Sequence, residues 1–244
     1  RGVSLVDTPE GDVLVSDWSD HGECHDSDGV HRTSGRIYRI ANDNKKPGPQ
    51  PRLGDKTSEQ LVAQLSHANG WWRDTAQRLI VQRQDQTAGP ALQALLDPQN
   101  NPNPIASILA LWTLRGLDSL TPADVELAFQ SKHPKVVASA IRAAEIFAEG
   151  GQSAGTLKQY AVLTERKDPE IQAQLCASIG LFRNTPEDRD HAFGLLLRIL
   201  KNSPGDSLQL RDLALSGLNQ AEPEFLDDLI ADGLDHPITQ DLIA

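Results

Sequence analysis

No methionine occurs in this chain, position 1 included, so the sequence reads as a piece of something longer, with any address signal expected in the part not given. Cysteine is nearly as scarce: Cys24 and Cys176 stand far apart in different kinds of sequence, which argues against a disulfide framework. Aromatic residues make up only 5%, against 39% hydrophobic, a balance that suits helices packed through Ala and Leu better than an aromatic-rich β-sandwich. Basic residues are outnumbered, 23 against 34 acidic, for a net charge of −11. That argues against nucleic acid as the principal partner, because binding phosphates needs a basic face. No apolar run approaches about 18 residues, so no helix is expected to span a membrane. Catalytic signatures are also missing: there is no GxSxG, HExxH, P-loop or GxGxxG.

What the chain does have is a repeated pattern. In LSHANGWWRDTAQRLIVQR, residues 65–83, Asn69 and Gly70 break one helix, and Trp72, Ala76, Leu79 and Ile80 then fall on one face of the next. The same frame returns at Ala106, Ala110, Leu114; at Val136, Ala140, Ala144; at Ile171, Leu175, Ile179; and at Leu210, Ala214, Leu218. Each copy follows a second helix-like run, at 58–65, 90–96, 122–130, 153–164 and 186–200. Two helices in a period of about 35 residues predict an α-solenoid, in which each hairpin has one apolar face too many and buries it on its neighbour. Asp97-Pro98, His133-Pro134 and Asp168-Pro169 mark the turns, with proline where the next helix can begin. A half repeat at 223–231 and a short helix at 234–243 are expected to continue the pattern.

Residues 1–41 stand apart from it. Segments 12–17 (DVLVSD) and 35–41 (GRIYRIA) alternate as strands, with a turn at 8–11 before the first. Two or three strands alone are marginal in water and need a sheet to join. Residues 42–56, NDNKKPGPQPRLGDK, read as a linker, leaving 57–244 as the helical domain.

The loop between the strands gathers Asp17, His21, Glu23, Cys24, His25, Asp26, Asp28 and His31, with Asp20 between them. Imidazole, thiolate and carboxylate are the ligands of zinc, iron and copper sites, and Asp26-Ser27-Asp28-Gly29 resembles the first half of a calcium loop. CxxC, the later EF-hand glutamate and the first cysteine of CxxCH are all missing. A polar loop bonded to its own backbone, a metal or cofactor contact, and a subunit contact are the three readings. Elsewhere, Cys176 is expected to be a buried structural thiol, Trp71 and Trp72 a helix start packed on the preceding segment, His67 and His133 turn or capping residues, and His191 solvent-facing.

The string SDWSDHGECHDSDGVHRTSGRIYRI, followed by LVAQLSHANGWWRDTAQRLIVQR and ALWTLRGL, resembles the junction in the planctomycete-type membrane-bound dehydrogenase family. There a β-propeller similar to the glucose/sorbosone dehydrogenases runs into HEAT-like repeats and commonly a c-type cytochrome domain. The resemblance implies that residues 1–41 close the last propeller blade and that the protein is exported to the periplasm or another extracytoplasmic space. It further implies electron transfer from a sugar or alcohol, with pyrroloquinoline quinone, calcium or haem in the parent protein. No catalytic or cofactor-binding residue maps onto this chain.

Three functions follow as expectations. The first is a non-catalytic HEAT-like scaffold that positions the propeller against an electron-transfer partner or docks a protein on its surface. The second has the 17–31 loop completing a metal or quinone site of the dehydrogenase. The third is a free-standing HEAT-repeat adaptor.

Overall fold

The computed structural model of the protein describes residues 2–17, 35–42, 44, 50–149, 151–203 and 208–231. The chain is mainly helical, with a small three-stranded antiparallel sheet near its N-terminus. It divides into two compact units, Arg1–Asp85 and Gln86–Ala244. The 42–56 stretch expected to separate domains falls inside the first.

In the first unit, β1 (Gly2–Asp7), β2 (Val13–Asp17) and β3 (Arg36–Ile40) pair in sequence order. The two strands expected from alternation are β2 and β3, while β1 has no counterpart in the sequence reading. The turn before β2 forms at the expected place. The Gly11 amide donates to the Thr8 carbonyl at 2.9 Å, and the Asp12 amide to Thr8 Oγ1 at 3.0 Å. Gly11 sits at φ 84°, a conformation that favours glycine. Leu5, Val15 and Tyr38 are cross-strand partners on one face. That face is uncovered: Leu5 is 72% exposed and Tyr38 53%.

The unit's helices are α1 (Ser58–Gln64) and α2 (Gly70–Arg83). Thr57 and Gln60 form a reciprocal capping box on α1, and Asn69 caps α2 by accepting from the Trp71 amide at 2.8 Å. The β1–β2 turn is held on the start of α2. Asn69 Nδ2 donates to the Thr8 carbonyl at 2.9 Å, and Trp72 Nε1 to the Pro9 carbonyl at 2.9 Å. The end of the proline-rich stretch is also tied in, with Leu53 buried and Arg83 donating to the Gly54 and Lys56 carbonyls at 2.7 and 2.6 Å.

The second unit contains α3 (Gly89–Ala94), α4 (Pro104–Gly116), α5 (Pro122–Phe129), α6 (Pro134–Ala143), α7 (Ser153–Leu163), α8 (Pro169–Ile179), α9 (Pro186–Lys201), α10 (Leu208–Leu218) and α11 (Glu222–Ala231). Proline opens α4, α5, α6, α8 and α9, where its missing N–H costs nothing and its φ suits the first turn. The expected half repeat is α11, and the short helix at 234–243 lies outside the described residues.

Neighbours follow a simple rule. Among the even-numbered helices α4 packs on α6, α6 on α8 and α8 on α10; among the odd, α5 packs on α7, α7 on α9 and α9 on α11. Side-chain hydrogen bonds join points 31, 35 and 33 residues apart in sequence: Gln86 to the Leu117 carbonyl (2.8 Å), Arg166 to the Ser131 carbonyl (2.9 Å), and Ser178 to Glu145 (2.7 Å). Between the helices, the Phe129, Tyr160 and Phe182 rings meet edge to face at 6.1 and 5.3 Å, and Phe193 meets Phe225 at 5.3 Å. The Tyr160 hydroxyl, fully buried, donates to the Ile141 carbonyl at 2.8 Å.

Candidate interaction surface

Of the eight residues expected to ligate metal, Asp17 closes β2 opposite Gly2 and Arg36. His21, Glu23, Cys24, His25, Asp26, Asp28 and His31 lie outside the described residues. Among the described residues no three His, Cys, Asp or Glu side chains come together as metal ligands would.

Of the other singled-out residues, Trp71, Trp72 and His67 have structural roles. The Trp72 indole bonds the turn at Pro9, and Trp71 packs against it edge to face at 5.7 Å. His67 Nδ1 accepts from the Asn69 amide at 3.0 Å, shaping the turn into α2. His133 occupies the position before α6, but its side chain caps nothing. His191 is exposed. Cys176 is buried in α8, and the loss of solvation on burial pushes its thiol up to about 12. A thiol that holds its proton so firmly is a poor nucleophile at neutral pH.

The even-numbered helices present a more ordered feature. In α4 the buried residues are Ala106, Ser107, Ala110, Leu111, Thr113 and Leu114. The equivalent positions are buried in α6 (Val136, Val137, Ala140, Ile141, Ala143) together with Ala144 beyond it, and in α8 (Ile171, Gln172, Leu175, Cys176, Ser178, Ile179). Four positions between them are left partly or fully open on every helix: 105, 108, 109 and 112 on α4; 135, 138, 139 and 142 on α6; 170, 173, 174 and 177 on α8. Their i, i+3, i+4, i+7 spacing puts them on one face of each helix.

At the C-terminal ends of these helices runs an open cleft of about 800 Å³, lined among others by Arg115, Glu145, Glu149, Arg183, Asn184 and Asn219. The Arg183 guanidinium donates to the Gly180 carbonyl at 2.8 Å and the Asn219 carbonyl at 2.7 Å, and also reaches the Leu218 carbonyl. It thereby satisfies carbonyls at the ends of both α8 and α10, where a positive charge also suits the helix dipoles. The lining carries both signs of charge, positive from Arg115 and Arg183 and negative from Glu145 and Glu149.

No protein-family model, curated protein or solved structure matches the chain. Among the described residues no helix is long and apolar enough to cross a membrane.

Proposed function

We propose that residues 57–244 form a HEAT-like α-solenoid that acts as a non-catalytic scaffold and protein-interaction module. The single observation that carries this reading is the neighbour rule in the second unit, with even helices stacked on even and odd on odd. The hydrogen bonds spanning 31 to 35 residues and the recurring open positions on α4, α6 and α8 support it.

The wider setting we propose is an exported multidomain dehydrogenase of sugars or alcohols, in which the module holds a β-propeller against an electron-transfer partner. The motif string over 16–40 supports that setting, as does a sheet whose apolar residues Leu5, Ile37, Tyr38 and Ile40 remain uncovered. Strands of a neighbouring blade would cover them.

Two experiments test the reading. In a stacked repeat array, stability is close to a sum over repeats and their interfaces. A chain ending at residue 203, without α10 and α11, is therefore expected to keep the helicity of the remaining repeats and to melt at a lower temperature; complete loss of structure would rule out the repeat architecture. Elemental analysis and an absorbance spectrum of the full chain address the scaffold role. The expected result is no stoichiometric metal or chromophore. A metal that disappears in a His25→Ala, His31→Ala variant would make the 17–31 loop a site and reverse the assignment.

A further inference from the structure

The open positions on the three helices have the same geometry but not the same chemistry. On α6 they hold Lys135, Ala138, Ser139 and Arg142, and on α8 Glu170, Ala173, Gln174 and Ala177, as expected of solvated surface. On α4 they hold Ile105, Ile108, Leu109 and Trp112, without a single polar side chain. Ile105 is 47% exposed and the other three are half-buried. Nothing in helix formation requires this, since the six buried positions of α4 already supply its packing face. An apolar stripe ending in a tryptophan has the composition of an interface centre.

The flank of the stripe identifies what fits it. α6 packs directly on α4, and the only charged side chains among its open positions are Lys135 and Arg142, both exposed. Neither forms an ion pair among the described residues. In a chain of net charge −11, two cations beside an apolar stripe form a local exception to the prevailing sign. We propose that the α4 face is a docking site for an acidic amphipathic helix of a partner protein. Its apolar side chains would lie along Ile105, Ile108, Leu109 and Trp112, and its carboxylates would meet Lys135 and Arg142. The proposal deepens the scaffold reading and rests on it.

The test uses the full chain and a fluorescein-labelled helix-forming peptide of about 16 residues, with Leu and Trp at i, i+3, i+4, i+7 and Glu on the flanks. A second peptide carries Lys at every Glu position. By fluorescence anisotropy at low ionic strength, the Glu peptide is expected to bind about tenfold more tightly than the Lys peptide. Lys135→Glu, Arg142→Glu is expected to invert that order, and Ile105→Asp to weaken the Glu peptide by about tenfold, with circular dichroism unchanged in both variants. Equal binding of the two peptides, or an order that survives the double charge reversal, overturns the proposal. So does a dimer of the chain that Ile105→Asp dissociates, which would assign the stripe to a second copy. Failure here with an intact response to truncation at 203 removes the docking site and leaves the scaffold; collapse on truncation removes the scaffold itself.

Discussion

Gly180 and Gly217 meet where α8 crosses α10: a Cβ on Gly180 would stand 2.7 Å from the Gly217 carbonyl oxygen, and a Cβ on Gly217 would stand 2.5 Å from the Ala177 carbonyl oxygen. Both obstacles are backbone, so neither can turn aside as a side chain would. The two helices touch main chain to main chain, and the glycines are the condition for it.

Gly217→Ala is accordingly expected to destabilise the protein by about 1–3 kcal/mol, the usual cost of overpacking. Gly194→Ala in α9 is the control, because a Cβ there meets nothing within 4 Å. It should be stabilising by about 0.5–1 kcal/mol through helix propensity alone. Urea denaturation of the two variants measures both signs.

Alkaline pH should loosen the second unit through Cys176 and Tyr160. Both hold their protons more tightly when folded, Cys176 up to about 12 from 9.0 and Tyr160 well above 10.0, chiefly because burial penalises the ionised form. Between the unfolded and folded values the unfolded chain has lost a proton that the folded chain keeps, so stability falls as pH rises. For Cys176 the contribution is complete below pH 9.0 and is lost progressively up to about 12. Each group adds a slope of about 1.4 kcal/mol per pH unit within its window. Cys176→Ala should flatten the stability profile above pH 9, and Tyr160→Phe above pH 10, relative to the parent chain.

At neutral pH Tyr160→Phe isolates the hydroxyl. The ring contacts with Phe129 and Phe182 survive the change, while the bond to the Ile141 carbonyl is lost. A destabilisation of about 1–2 kcal/mol is expected in thermal or urea melts.

Asn69→Ala removes three interactions at once: the cap on the Trp71 amide and the donations to the Thr8 and Pro9 carbonyls. A cost of about 1–3 kcal/mol is expected, with faster amide exchange in β1 and β2 because their turn has lost its anchor. Unchanged exchange in those strands would show that the turn holds itself.

The helical character was legible in the sequence: α4, α6 and α8 lie where the frames starting at Ala106, Val136 and Ile171 put helices, burial recurs there at matching positions, and proline marks their starts. The frame was least informative at its edges. Trp72 and Leu79 in α2 and Leu210 in α10 fit the template yet are only half-buried; Trp72 gives part of its surface to the bond with Pro9. β1 carries little signal of its own because its partner strand, not its own short alternation, defines it. The α4 stripe was hidden by its own composition. In a helix rich in Ile, Ala and Leu, the template accounts for the buried residues, and only the structure distinguishes the apolar residues left over. Gly180 and Gly217 suffer the opposite fate, since in sequence a helical glycine reads as a weak spot rather than a contact.

Arg183 gives the α8–α10 junction a mechanical character. Packed helices flex chiefly by small slides past one another. Here one planar side chain grips the carbonyl ends of both helices, beside a crossing with no side-chain cushion between the backbones. Sliding at that junction would break several hydrogen bonds together. Flexing of the second unit should therefore concentrate toward α4 and α6, leaving α8 and α10 to move together as one stiff pair.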